Sequence, residues 1–241
     1  MRKTNNDILI HPQRGKNEKN IPECGIFLVN PAESRIAMQM VLESGGRRQF
    51  IFHSELVVSK DADFFVAGPS IGAPMATMTM EKLIVLGAKT ILMYGWCGAV
   101  SPEFKIGDLL LGGDAHSGEG TSRYYTDKVV CAPSACLSGK VQSAFGLSGA
   151  NPMWTTDAVY RESRRMFEQL AEKYNVCGVD MEYSALCAVA AFREIDFAGL
   201  FLISDELWQK EWRPGFADKK FKKQSREIIK LLIENITSFG N

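Results

Sequence analysis

Three runs apolar at nearly every position constrain this chain most: GIFLV over 25–29, TILMY over 90–94 and FAGLFLI over 197–203. A strand with one wet face alternates apolar and polar residues. A strand apolar throughout needs cover on both faces. Further short runs at 63–68 and 108–111 read as strands. Segments of helical period lie between and after them, over 33–44, 71–86, 160–174, 182–192 and 218–236. Strands alternating with helices predict a mostly buried mixed sheet between two helical layers, a single-domain three-layer α/β/α fold. Gly45-Gly46 and Gly87 end two of the helices, and the glycines of 95–98 are expected to break the third strand. Residues 1–24 are polar and punctuated by Pro12, Gly15 and Pro22, so an extended arm is expected there, followed by one domain over 25–241. Residues 112–157 are rich in Gly, Ser, Ala and Pro and carry no clear period. Residues 206–217 read as a loop.

Composition narrows the partners. Lys plus Arg and Asp plus Glu number 28 each among 241 residues. A net charge of zero supplies no long-range field toward nucleic acid or an anionic membrane. No apolar run reaches the length of a membrane span, and the polar N-terminus does not resemble a signal peptide, so a cytoplasmic protein is expected. Six cysteines without a CxxC pair and three scattered histidines make neither a zinc site nor a disulfide framework. No metal and no cofactor are expected. The partner implied is a small molecule or a second copy of the chain.

In such sheets ligands gather where strands end. Asp205 ends the apolar run 197–203, where partial desolvation favours a protonated carboxyl; capping a following helix is the alternative. Glu182, in VDME over 179–182, either complements a helix dipole or accepts hydrogen bonds from vicinal hydroxyls, with Met181 against an apolar face. Gly98, in GWCG over 95–98, lets a backbone approach a ligand or simply makes a turn. No GxGxxG, Walker or GxSxG sequence occurs.

Together, GPSIGAP over 68–74, GWCGAV over 95–100 with Gly107-Asp108, TDAVY over 156–160, VDME over 179–182 and ISD over 203–205 resemble the nucleoside phosphorylases in order and spacing. The uridine phosphorylase and hexameric purine nucleoside phosphorylase branch looks nearest, and the resemblance covers nearly the whole chain. It implies the fold of that family and cleavage of a nucleoside's N-ribosidic bond. It implies that Glu182 binds the ribose 2′ and 3′ hydroxyls, Met181 lies under the sugar, Cys97 and Gly98 edge the base, and Tyr160 walls the base pocket. Asp205 would protonate a purine-like leaving base, with Arg213 orienting it. His11 would reach a neighbour's 5′-hydroxyl, and the assembly would be a homo-oligomer, a dimer or a hexamer.

The same resemblance exposes an altered phosphate site. The family's first strand ends in Gly-Asp-Pro with an arginine two residues on; here Val29, Asn30 and Pro31 are followed by Glu33. Met93 and Trp96 replace an arginine and a hydroxyl residue. Arg48 and Arg35 are the remaining candidates for inorganic phosphate. A glutamate repels phosphate but can take a proton from water, as the base of inverting glycosidases does. The products are therefore free base plus either ribose, with Glu33 as the base for water, or ribose 1-phosphate, and the substitutions lean toward water. A nucleoside-binding relative without catalysis is the alternative.

Overall fold

The computed structural model describes residues 8–240. The chain runs β1 (Cys24–Leu28), α1 (Pro31–Glu43), β2 (Arg47–Gln49), β3 (Glu55–Val58), β4 (Phe65–Gly68), α2 (Ala73–Leu86) and β5 (Thr90–Ala99). It continues through β6 (Leu109–Gly118), β7 (Val130–Cys131), α3 (Ala135–Phe145), β8 (Ala150–Thr156), α4 (Arg164–Tyr174), β9 (Gly178–Asp180), α5 (Tyr183–Arg193), β10 (Asp196–Glu206), β11 (Arg213–Pro214) and α6 (Lys219–Phe239). All the strands join one mixed sheet. Strand β5 pairs in parallel with β1 on one side and β10 on the other. The pairings β10–β6, β6–β8, β8–β9 and β9–β5 then close a ring of strands, from which β1, β4, β3 and β2 extend.

Both sheet faces are covered, as the apolar runs require. In β1 the side chains alternate: Phe27 faces one core with Met80 and Leu83 of α2 and Leu186 of α5, while Ile26 and Leu28 face the other with Met38 of α1 and Ile229 and Leu232 of α6. Helices α1, α3 and α6 thus cover one face and α2 and α5 the other. A smaller cluster gathers Phe167 and Leu170 of α4 with Val100 and Val179. Residues 8–23 form neither helix nor strand. They lie against α2, where Lys82 Nζ donates to the Gln13 carbonyl and pairs with Glu18, and Ile21 is buried.

Three local expectations change. The glycines of 95–98 do not break β5, which continues to Ala99 because β10 and β9 supply ladder partners along it. The segment 112–157 holds most of β6, all of β7 and β8, and α3, whose Ser134 Oγ caps the helix by accepting from the Leu137 amide. The helix expected from residue 160 begins at Arg164. Ser163 Oγ caps it by accepting from Met166 N, and a single 3-10 turn over 159–161 precedes it.

Tyr183 locks α5 onto the sheet. Its ring is fully buried against Phe201 and Phe197, and its hydroxyl donates to the Gly113 carbonyl at 3.0 Å. Gly199 of β10 leaves the ring its space: a Cβ there would lie 2.7 Å from Tyr183 Cε2. Gly199→Ala is therefore expected to destabilise the fold by about 1–3 kcal/mol through overpacking. Urea denaturation checks this, and an unchanged midpoint would show that the ring shifts freely.

Candidate functional site

The C-terminal ends of β1, β5 and β10 lie side by side, and a cavity of about 580 Å³ opens beyond them. That volume lies within the range of small-molecule sites. Asn30 follows β1, while Trp96, Cys97 and Gly98 come from β5 and Ser204 and Asp205 from β10. Val179 to Glu182 reach it from β9 and the turn that leads into α5. Tyr160, Glu162, Arg164 and Phe167 enter from the start of α4, and Leu207, Trp212 and Phe216 from the segment after β10. The walls are largely apolar and aromatic, with carboxyl groups set among them.

Asp205 owes its position to an irregularity in the ladder. Ile203 pairs with Cys97 but Asp205 pairs with Gly98, so Ser204 is an extra residue on β10. Such a bulge re-aims the side chains beside it. Asp205 Oδ2 accepts from Trp212 Nε1 at 2.8 Å. Ser204 Oγ lies 2.7 Å from Asp205 Oδ1 and 3.2 Å from the Cys97 carbonyl. One hydroxyl proton cannot serve both acceptors at once. Gly98 makes room for this carboxyl, since a Cβ there would stand 3.2 Å from Asp205 Oδ2 and 2.6 Å from Leu207.

Glu182 is fixed by a different element. The Gly72 amide, at the N-terminus of α2, donates to Glu182 Oε1 at 2.6 Å. The positive φ of 86° at Gly72 suits a glycine. Asp180 caps α5: its Oδ2 accepts from the amides of Glu182 and Tyr183, and Thr155 Oγ1 donates to its Oδ1 at 2.6 Å. Burial, with Asp180 adding like charge, pushes the Glu182 carboxyl upward; burial also raises Asp180 despite its three donors. Met181 lines the cavity between them. Tyr160 lines it too but is almost fully exposed at the rim.

Other expected residues lie elsewhere. Arg213 does not meet Asp205. It pairs with the buried carboxyl of Glu206 at 3.3 Å, because Glu206 and Arg213 are register partners of β10 and β11. Glu33 is outside the cavity lining. Placed in the first turn of α1, it is buried beside α6, where Ser225 Oγ donates to its Oε1 at 3.0 Å. Burial pushes its carboxyl upward, with Ser225 and the nearby Trp96 side chain opposing. Trp96 Nε1 and Glu33 Oε2 nonetheless fall short of hydrogen-bond geometry. Arg48 pairs with Glu55 at an exposed site, Arg35 is exposed on α1, and His11 is exposed in the segment before β1. None of the three lines the cavity. Among the described residues no cluster of three His, Cys, Asp or Glu side chains could hold a metal.

Glu162, Arg164, Phe167, Trp212 and Phe216 of the lining were not singled out from the sequence. The two tryptophans and one phenylalanine of 206–217 were the available signal, since a loop that rich in aromatics needs something to cover. Arg164 does not offer its charge freely: its Nη2 donates to the Gln209 and Lys210 carbonyls, tying α4 to that loop.

Comparison with known proteins agrees with this architecture. A DeoD-type purine nucleoside phosphorylase of Buchnera aphidicola subsp. Acyrthosiphon pisum (strain Tuc7) is 25% identical over 187 residues, 73% of this chain and 77% of that protein. The purine nucleoside phosphorylase of Toxoplasma gondii, solved with immucillin-H, superposes with a TM-score of 0.76 at 20% identity, over 91% of this chain and 92% of its own. The AMP nucleosidase of Bacteroides thetaiotaomicron gives 0.68 at 22% identity, over 89% and 90%. At these identities the structural likenesses establish the fold, in which phosphorylases and nucleosidases both occur. Residues 39–236 match the sequence pattern described as the Phosphorylase superfamily. The chain belongs to the Phosphorylase superfamily, and the relatives it matches in sequence are nucleoside phosphorylases.

Proposed function

We propose that the protein cleaves the N-ribosidic bond of a purine-like nucleoside, with Asp205 as general acid and water as the sugar's acceptor. One observation carries this reading: a single apolar-walled cavity is lined by both Glu182 and Asp205. Glu182, anchored by the Gly72 amide, receives the ribose 2′ and 3′ hydroxyls, and Met181 packs beneath the sugar. The base lies between Gly98 and the aromatic loop. A purine departs with the electron pair of the broken bond, and a proton from Asp205 neutralises it as it leaves. Such help is worth roughly 10²–10⁴ in rate. The sugar carbon gains positive character and is met by water from the far face; the proton that water sheds as the new C–O bond forms passes to solvent, and Asp205 is reprotonated from solvent for the next turnover.

Water rather than phosphate is favoured by charge. Phosphate needs concentrated donors and cations. Arg164 is the one cationic side chain among the lining residues, and it is committed to two carbonyls. Four carboxyl groups, Glu162, Asp180, Glu182 and Asp205, line the same space. Trp96, with its amide donating to Asn30 Oδ1 at 3.0 Å, fills the ground beside the end of β1. A phosphate site built from Arg48 or Arg35 would need those side chains to come from a second copy of the chain, since neither lines this cavity.

Asp205→Asn is expected to lower turnover about 10²–10⁴-fold while leaving nucleoside binding nearly intact. Chromatography of released base, set beside calorimetric binding, checks this; unchanged turnover removes Asp205 from the mechanism. Base release should continue in phosphate-free buffer and yield ribose. A strict phosphate requirement with ribose 1-phosphate as product would overturn the hydrolytic reading. Trp212→Phe removes one donor from Asp205 at a half-exposed position. A fall in kcat of about 10-fold or less, with little change in binding, is expected there. Equal losses in both would mean that Trp212 serves the fold of the loop instead.

A further inference from the structure

The aromatic side of the cavity holds a carboxyl that the reading above leaves unused. Glu162 lies between the 3-10 turn at 159–161 and Ser163, the cap of α4. It is half-buried in the same cavity as Asp205. Ser163, not Glu162, satisfies the helix N-terminus, since Ser163 Oγ accepts from Met166 N. Arg164, two residues on, spends its guanidinium on backbone carbonyls of the loop. The Glu162 carboxyl therefore has no hydrogen-bond or ion-pair partner among the described residues, although a carboxyl taken partly out of water needs a donor.

We propose that Glu162 reads the base: its carboxylate accepts an N–H that the leaving base presents beside the ring atom protonated by Asp205, so that a 6-aminopurine is preferred over a 6-oxopurine. This rests on the cleavage reading only for where the base lies. In a purine, N7 and the 6-substituent share one edge. An acid at N7 with an acceptor beside it matches an acceptor–donor edge, the pattern of a 6-aminopurine. A 6-oxo group would set its own acceptor against the carboxylate and leave both unpaired. Sites built around such a pairing reject the mismatched partner strongly, because the mismatch buries unpaired polar groups. Burial and the neighbouring Asp205 charge push the Glu162 carboxyl up to about 7, and an N–H donated by the base would favour its carboxylate form.

The test is calorimetric binding of adenine and of hypoxanthine to the wild-type chain and to Glu162→Gln, about one pH unit above the Glu162 pKa, where the carboxylate form dominates. An amide accepts or donates with equal ease by turning over, so Glu162→Gln loses the discrimination. Wild type is expected to bind adenine at least about 10-fold tighter than hypoxanthine, and the variant to bring the two within about 3-fold. A variant that keeps the wild-type ratio overturns the inference. So does a wild type that prefers hypoxanthine or binds neither base, which needs no variant to fold. Turnover of the two ribosides is read separately. Discrimination in binding without base release from either riboside leaves this inference standing and removes the cleavage reading. Base release without discrimination does the reverse.

Discussion

The parallel pairing of β5 with β10 is the contact on which the site depends. It runs over ten register pairs, from Asp196 against Thr90 to Glu206 against Ala99, and is interrupted once. Both strands are covered on both faces, so their register is held by the whole core rather than by the loop beyond it. One extra residue near the end, Ser204, is what brings Asp205 opposite Gly98. A serine there also contributes the hydroxyl that reaches Asp205, so the bulge positions both groups at once.

Around that rigid edge the site is assembled from parts with very different tethers. Glu182 and Asp180 are held by backbone amides at the starts of helices, where the dipole favours a carboxylate and burial opposes it. Burial prevails at both positions. Both carboxyls are thereby held above the ordinary carboxylate range. The loop side is looser. Trp212 is exposed by 60% and Tyr160 by 96%, so this wall is open to solvent while the strand-end wall is not.

How much of this was legible in the sequence follows from how local each determinant is. The apolar runs at 25–29 and 197–203 announce buried strands because every residue in them needs cover. Glu182 and Asp205 were legible because each ends or begins an element and sits in a recurring motif. The segment 112–157 was not, since β6 and β8 find their partners across the ring and their glycines serve packing: Gly112 faces the Tyr183 ring and Gly118 the Trp154 ring. Residues 95–98 misled for the same reason, because glycines that look like a break are tolerated where both strand edges are paired. Glu162 was hidden inside an apparent helix whose true start is set by Ser163. The family resemblance assigned Arg213 to Asp205, whereas the antiparallel register of β11 hands it to Glu206.

Glu33 shows how one substitution can carry a meaning that geometry relocates. In sequence it stands two residues beyond Pro31, at the end of the first strand, and a carboxylate there suggests a proton acceptor for water. In space the first turn of α1 directs it toward α6, where Ser225 and Tyr94 form a small polar island in an apolar layer. Tyr94 Oη lies 3.2 Å from Ser225 Oγ, and the two hydroxyls and the carboxyl partly satisfy one another. Trp96 separates this island from the cavity, with its ring packed edge-on against Phe221 and stacked near Phe216. The tryptophan therefore does two things. It takes up volume beside Asn30 at the end of β1, and it keeps a buried carboxyl out of the cavity lining. On the proposed cleavage reading, an acceptor arriving there would meet Asn30 and an indole edge, surroundings that would suit a neutral molecule such as water and offer a phosphate no cation.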